Sequence, residues 1–153
     1  RDVWLTRWVT VTQLLPAWLW IGTPFLGFAD VDLPVAVRAA GFAVALSSLA
    51  FLWWVHDSLG RNFSPWLELR AGHALVTAGP YARIRHPMYT AGFLLALSYG
   101  PLSGNLLMGT IPFLGLIPLV LVRLPEEEAM MLLRFGDAYR AYMRRTGRLL
   151  PWR

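Results

Sequence analysis

The chain has 153 residues, of which 56% are hydrophobic and only 15% are charged, and its mean hydropathy is +0.47. This composition excludes an ordinary soluble domain of the same length and indicates a protein that resides in a bilayer. The net charge of +5 comes from fourteen arginines and no lysine, and the absence of cysteine excludes disulfides, thiolate metal sites and cysteine nucleophiles. Each guanidinium is permanently charged and suits carboxylates and phosphates.

Two long apolar segments are predicted to cross the membrane first, from about residue 8 to 28 and from about 34 to 55. Each is long enough for ~30 Å of hydrocarbon at ~1.5 Å per helical residue, although Pro16 and Pro24 interrupt the first. The eight tryptophans fall mostly near the ends of apolar segments, where their rings suit the headgroup level, and packing in a core is the alternative.

A third apolar segment runs from about 87 to 100 and a fourth from about 104 to 122, with Pro112 and Pro118 inside the fourth. The third would give only ~21 Å of helix, which is short for a full crossing. We therefore predict a kinked helical hairpin in which neighbouring helices supply partners for backbone groups released at the prolines. The predicted fold class is all-α: a polytopic membrane protein with about four transmembrane helices and a single domain over 1–153.

The arginine distribution predicts the orientation of the chain. Most arginines lie in the loop after the second span and in the tail after the fourth, whereas Asp30 and Asp32 lie between the first two spans. Because cytoplasmic segments carry the excess of arginine, both arginine-rich segments are expected on the cytoplasmic face.

The tail is predicted to form a cytoplasmic amphipathic helix from Glu126 to about Arg145, with Pro125 at its first position. Its apolar arc is formed by Met131, Leu132, Phe135, Ala138, Tyr139, Tyr142 and Met143. Glu128 falls inside this arc, Glu127 at its edge and Glu126 opposite. The three glutamates are either solvated charges that favour the helix dipole, or they include an inward-facing carboxylate that needs a partner.

The segment from Gly79 to Tyr89 is polar and lies between apolar stretches. Pro80 and Pro87 fix its backbone, which favours a ligand site at a membrane surface. His86 directly precedes the helix that is predicted to begin at Pro87, and the donors of a helix start favour an anion such as a carboxylate. A capping or core histidine is the alternative interpretation of His86.

Arg123 stands at the end of the fourth span, where it either snorkels to the membrane boundary or clamps an anion. His56, His73 and His86 show no metal-ligand spacing, so no metal is expected. The chain also has no dinucleotide-binding glycine motif and no strand pattern, which excludes a cofactor site on a doubly wound sheet. Any nucleotide cofactor must then bind between helices and loops.

Seven short motifs follow one another in the second half of the chain: His73-Ala74-Leu75-Val76, Gly79-Pro80-Tyr81, Arg85-His86-Pro87-Met88-Tyr89, Arg123, Glu126-Glu127-Glu128, Phe135-Gly136 and Leu150-Pro151. In this order they resemble the carboxy-terminal half of the isoprenylcysteine carboxyl methyltransferase family, integral membrane enzymes that use S-adenosylmethionine. The resemblance covers about half of the chain, which has the reduced form of prokaryotic relatives.

The resemblance implies a cofactor site for S-adenosyl-L-methionine within 73–89 and 123–153. The cofactor residues that it implies are His73, Ala74, Leu75, Val76, Tyr81, His86, Pro87, Met88, Tyr89 and Glu127. It also implies that Arg123 contacts the substrate and that Arg123 and Glu127 are the catalytic residues. Ideal helix geometry instead favours the next residue, Glu128, as the more buried carboxylate.

The resemblance implies a methyltransferase that acts at the cytoplasmic membrane face on the carboxylate of an isoprenylcysteine-like or other apolar substrate. An amine-bearing phospholipid or a small thiol is an alternative acceptor within the same fold. A sterol-type membrane reductase and a non-catalytic membrane scaffold are the alternatives outside it. Membrane lipids and a lipid-like or prenylated small molecule are the expected partners, and neither a nucleic acid nor a metal is expected.

Overall fold

The computed structural model describes residues 3–60 and 74–151, and the regular elements within these ranges are helices. Four α-helices follow one another as α1 (Val3–Gly22), α2 (Val35–Leu59), α3 (Pro87–Ser103) and α4 (Leu106–Arg145), with short 3-10 helices at Pro24–Ala29 and Gly79–Ala82. The predicted all-α class is confirmed for the part of the chain that the structure describes.

Most helix ends differ from the predicted span bounds: α1 begins at Val3 rather than at about residue 8, and α2 ends at Leu59 rather than at about residue 55. α1 stops at Gly22, where the Thr23 hydroxyl accepts a hydrogen bond from the Phe25 N–H and Pro24 starts a 3-10 helix. α3 continues past residue 100 to Ser103 and takes Pro101 into its last turn. Pro24 therefore lies just beyond the end of α1, whereas Pro101 lies within the last turn of α3.

The predicted start of a separate helix at Pro125 was wrong. α4 runs through Pro125 without a break, and its irregular residue is Gly136, with φ 51° and ψ −121°. Glycine reaches this left-handed conformation without a Cβ clash, so the change of direction falls there. A proline inside a helix loses one hydrogen bond but keeps a helical φ, and an apolar helix tolerates it.

Two helices, Val35–Leu59 and Leu106–Arg145, are long and apolar enough to cross a membrane among the residues that the structure describes. Large apolar side chains are also exposed along α1 and α2, for example Trp53 at 77% and Val35 at 83%. An exposed apolar surface of this extent suits contact with lipid. The number of four crossings stays a prediction.

The chain divides into two compact units, one from residues 1–49 with 92–121 and one from residues 50–91 with 122–153. In the first unit, side chains of α1 donate to carbonyls of α4 beside its prolines. Trp8 Nε1 donates to the Gly115 oxygen at 3.0 Å, and Gln13 Nε2 donates to the Pro112 oxygen at 2.8 Å. These bonds hold α1 against the proline-containing segment of α4. The carbonyls that lose their donors to Pro112 and Pro118 are those of Met108 and Leu114, so the predicted partners for the released groups stay a prediction.

Asn105 organises the start of α4 within the same unit. Its Oδ1 accepts hydrogen bonds from the N–H groups of Leu107 and Met108, as an N-cap residue does. Its Nδ2 donates to the Leu26 carbonyl at 2.8 Å and to Asp30 Oδ1 at 2.7 Å. One amide thus caps α4 and ties it to the connection between α1 and α2.

Candidate ligand site

In the second unit, the backbone of the loop before α3 is restricted at Gly79, His86 and Pro87. Gly79 has φ 58°, and a Cβ at this position would lie 2.6 Å from the Ser58 hydroxyl oxygen. Pro87 is fully buried at the first position of α3, where its missing N–H is not needed. The Thr90 N–H bonds the His86 carbonyl at 3.4 Å, so His86 is the cap of this helix.

The tail after α4 lies along this loop. The N–H groups of Arg85 and His86 donate to the carbonyls of Gly147 and Arg148 at 2.9 and 3.0 Å. The Gly147 N–H donates back to the Arg83 carbonyl at 3.0 Å. These hydrogen bonds form a parallel bridge that fixes the backbone on which His86 is mounted.

The imidazole of His86 lies between two glutamates of α4. Its Nδ1 is 3.4 Å from Glu127 Oε2, and its Nε2 is 3.4 Å from Glu128 Oε1. Burial lowers the pKa of His86, but hydrogen bonds to Glu127 and Glu128 and their negative charges outweigh it, so the pKa is raised above its ordinary value. The doubly protonated ring, a donor at both nitrogens, is the form that this arrangement favours.

Glu128 is the buried member of the pair, with a side chain that is 5% exposed. Arg85 Nε donates to its Oε1 at 2.9 Å, and Arg148 Nε and Nη2 donate to its Oε2 at 3.0 and 2.5 Å. Arg85 also donates to the carbonyls of Met143 and Thr146 at the end of α4. Glu128 is therefore a structural anion whose two oxygens are both committed to protein donors.

Glu127 is more accessible, with a side chain that is 24% exposed. The Tyr89 hydroxyl donates to its Oε1 at 2.6 Å, and Arg123 Nε lies 3.7 Å from the same oxygen. Arg123 is one helical turn before Glu127, and its side chain is 17% exposed. The partly exposed Glu127 carboxylate is thus surrounded by a phenol, an imidazole and a guanidinium.

The structure brings His86, Tyr89, Arg123 and Glu127 into one cluster, and the cofactor and substrate roles of these residues stay predictions. The predicted inward direction of Glu128 is confirmed by its burial, and Glu126 is exposed. Which glutamate meets a cofactor stays a prediction, but the exposures separate the two, since Glu127 has access to solvent and Glu128 has little.

The remaining predicted residues take other positions. Tyr81 is buried, and its carbonyl accepts a hydrogen bond from the Tyr142 hydroxyl at 2.7 Å. Burial, with the neighbouring charges of Tyr142 and Glu127, raises the pKa of Tyr81, so its hydroxyl stays protonated. Met88 is half-buried, and residues 74–76 (Ala74, Leu75 and Val76) form an irregular segment at the start of the described range. His73 lies outside the described residues.

Neither Arg85 nor Arg148 was predicted as a site residue. Arg85 was named only as part of the motif over residues 85–89, and Arg148 was counted only among the cytoplasmic arginines. The signal that could have found them is Glu128 itself. A carboxylate on the apolar arc of a helix needs cationic partners, and the loop before α3 and the segment after α4 both carry arginines.

The fold and this cluster define a helical protein of membrane character with a polar side-chain cluster built from the loop before α3, the start of α3, the interior of α4 and the segment after α4. Residues 40–133 match the isoprenylcysteine carboxyl methyltransferase (ICMT) family. This match covers more than half of the chain, and the chain belongs to that family.

Two curated relatives represent different members of the family. The protein-S-isoprenylcysteine O-methyltransferase of Schizosaccharomyces pombe is 37% identical over 60% of this chain and 40% of its own length. The methanethiol S-methyltransferase of Mycobacterium tuberculosis is 38% identical over 94% of this chain and 60% of its own length. The chain thus spans less than two thirds of either relative.

A solved structure shares the fold. The eukaryotic intramembrane Ras methyltransferase ICMT, determined without a monobody, matches with a TM-score of 0.73 at 22% identity. The match covers 99% of this chain and 54% of the other. The helical arrangement is therefore that of the family.

Proposed function

We propose that the chain is an S-adenosylmethionine-dependent membrane methyltransferase whose cofactor binds at Glu127. The observation that supports this most is the contrast between the two adjacent glutamates. Glu128 is buried and has protein donors on both oxygens, whereas Glu127 is partly exposed and faces the His86 and Tyr89 side chains. Glu127 is the carboxylate that can exchange protein contacts for a ligand.

The side chains of the cluster fit the polar groups of this cofactor. Glu127 can accept hydrogen bonds from an ammonium or a hydroxyl group, and His86 and Tyr89 can donate to a carboxylate or a ring nitrogen. When bound, S-adenosylmethionine supplies a methyl group that its sulfonium makes electrophilic. We include residues 73–76 and Tyr81, Pro87 and Met88 in the proposed cofactor site on the basis of the family motifs.

The chain's own contribution is to position the acceptor and keep water away from it. Arg123 is placed to orient an acceptor carboxylate, because a planar guanidinium can hold two carboxylate oxygens at once. Glu127 lies one turn away, and its Oε1 is 3.7 Å from Arg123 Nε, which fixes the direction of the Arg123 side chain. Positioning of this kind accounts for a large part of the rate of a transfer that needs no covalent enzyme intermediate.

The first proposed acceptor is the carboxylate of an isoprenylcysteine-like or other apolar molecule that enters from the bilayer. A small thiol is the second candidate, and the methanethiol S-methyltransferase relative supports it by matching 94% of the chain. The two differ in their need for Arg123, since a thiol has no carboxylate to hold.

We place the site at the cytoplasmic face because residues 57–86 and 123–153 together carry eleven of the fourteen arginines. Cysteines at Ala78 and Leu150, both exposed, should react with an impermeant maleimide only from the cytoplasmic side. A cysteine at Asp32, between α1 and α2, should react from the opposite side. Reaction of Ala78→Cys and Leu150→Cys from different sides would exclude this orientation.

The test of the function has two steps. S-adenosylhomocysteine should raise the Tm of the detergent-solubilised protein, and NADPH should not, since only a ligand that binds the native state stabilises it. Labelled S-adenosylmethionine is then offered with prenylcysteine, fatty-acid, amine-lipid and thiol acceptors. Stabilisation by NADPH alone would support a reductase, and stabilisation by neither would support a scaffold.

A further inference from the structure

The two oxygens of Glu128 serve different parts of the chain. Oε1 meets Arg85 Nε and His86 Nε2, both in the loop before α3, at 2.9 and 3.4 Å. Oε2 meets only the Arg148 guanidinium among the described residues, through Nε and Nη2. Arg148 thus fixes Oε2 of the carboxylate. The orientation of Oε1 toward His86 depends on this contact.

Arg148 also holds the backbone of His86. Its carbonyl accepts the His86 N–H at 3.0 Å, and the next carbonyl, at Leu149, accepts the Thr90 hydroxyl at 2.6 Å. Arg148 therefore binds the main chain of His86 directly, and it also binds Glu128, which contacts the His86 ring.

Arg148 is an exposed side chain, although the carboxylate that it binds is buried. Its side chain is 55% exposed, and an ion pair between two exposed side chains contributes little. Here the partner carboxylate is 5% exposed, so loss of Arg148 would leave a buried oxygen without its donors. The carboxylate would then turn toward its remaining partners, Arg85 and His86.

We propose that Arg148 is a positioning residue for the ligand site, and that it acts through Glu128 to set the place of His86 between Glu127 and Glu128. The effect of the His86 ring position on ligand binding rests on the proposed function, in which Glu127 and His86 contact the cofactor. The positioning itself is a property of the protein alone and can be measured without a ligand.

The pH at which His86 titrates depends on the charged and titratable groups around its ring, and so it depends on the position of the ring. Glu127 and Glu128 face it from α4, Tyr89 faces it from α3 with ring centroids 6.1 Å apart, and Arg85 precedes it in the loop. Arg123 acts on it through Glu127, and Arg148 through Glu128. When glutamine replaces Arg148, the negative charge of Glu128 is less neutralised and stabilises the protonated His86 ring more strongly. When glutamine replaces Glu128, this negative charge is removed.

The experiment follows the His86 imidazole by NMR in histidine-labelled protein in detergent micelles. The chain has three histidines, and His86→Asn assigns the signal. Arg148→Gln should raise the pH at which His86 titrates and Glu128→Gln should lower it, each by about half a unit or more. Arg148→Gln should also weaken S-adenosylhomocysteine binding by roughly 3 to 10-fold, the range for one lost hydrogen-bonded contact.

Arg144→Gln is the matched control, because Arg144 is an exposed arginine near the same tail and lies at the end of α4. It should change neither the His86 titration nor the affinity. Arg148→Lys keeps the charge and loses the planar fork, and should give a smaller change in the same direction, which keeps the test available if Arg148→Gln does not fold.

Unchanged titration and affinity in Arg148→Gln would overturn the proposal. A wild-type protein that does not bind S-adenosylhomocysteine would overturn the proposed function instead. In that case the His86 titration in Arg148→Lys still decides whether Arg148 sets the position of the ring, because lysine keeps the positive charge and changes only the contact geometry.

Discussion

The Tyr89 hydroxyl donates a 2.6 Å hydrogen bond to Glu127 Oε1, and this contact joins residues 38 positions apart in the chain. It links the first turn of α3 to α4 at the carboxylate that we propose as the cofactor contact. A phenol in this position restricts the rotamers of Glu127 and fixes the direction in which its second oxygen points.

Tyr89→Phe should therefore weaken S-adenosylhomocysteine binding by about 1 kcal/mol, since the hydrogen bond that orients Glu127 is lost while the ring is kept. Calorimetric titration measures this change. Tyr99→Phe, in the same helix, is the control and should leave the affinity unchanged. Equal affinities for wild type and Tyr89→Phe would show that Glu127 is held without the phenol.

The adjacent glutamates should respond differently to neutralisation. Glu127→Gln is expected to weaken S-adenosylhomocysteine binding by ~1 to 3 kcal/mol with little change in Tm, because its side chain is partly exposed. Glu128→Gln is expected to lower the stability by about 3 kcal/mol, because Arg85 loses its buried counter-charge. Thermal unfolding and calorimetry on the same samples separate the two effects.

Glu126→Gln is the control for both glutamates, since Glu126 is exposed and should change neither quantity. A binding loss at Glu126 as large as that at Glu127 would contradict the assignment of Glu127.

Arg123→Lys distinguishes a clamp from a membrane-boundary residue. Lysine keeps the charge but loses the planar fork, so kcat/KM for a carboxylate acceptor should fall at least 10-fold while S-adenosylhomocysteine affinity stays nearly constant. Arg134→Lys, at an exposed position of the same helix, is the control. A fully active Arg123→Lys enzyme would leave Arg123 as a snorkelling residue, and turnover on thiols alone would remove the need for a clamp.

The raised pKa of His86 predicts a pH dependence of stability. A histidine whose folded-state pKa exceeds the ordinary value of about 6.5 stabilises the protein fully below that value, and the contribution is lost as the pH rises through the folded-state pKa. The Tm difference between wild type and His86→Gln should thus be largest near pH 6 and should shrink toward pH 9. His56→Gln is the control, and a difference that grows with pH would contradict the raised pKa.

The sequence predicted the helical class and most of the positions that form the cluster. Glu128 was found because helix periodicity places it on the apolar arc with Tyr139 and Tyr142, and all three are buried. The break in α4 was misplaced to Pro125, because a proline signals a helix start and an interior kink equally well, and the left-handed Gly136 has no distinct sequence signal. The arginines that hold Glu128 depend on a long-range fold of the tail, which local patterns do not contain.

The bridge between the tail and the loop before α3 bears on the order of events during biosynthesis. Residues 147–149 supply the carbonyls that accept from Arg85, His86 and Thr90, more than fifty positions earlier in the chain. The helices can insert as they emerge from the ribosome, but the loop that carries His86 reaches its final hydrogen bonding only after those late residues have been translated. A chain truncated after residue 145 would therefore lack the three carbonyls that hold the loop of the proposed ligand site.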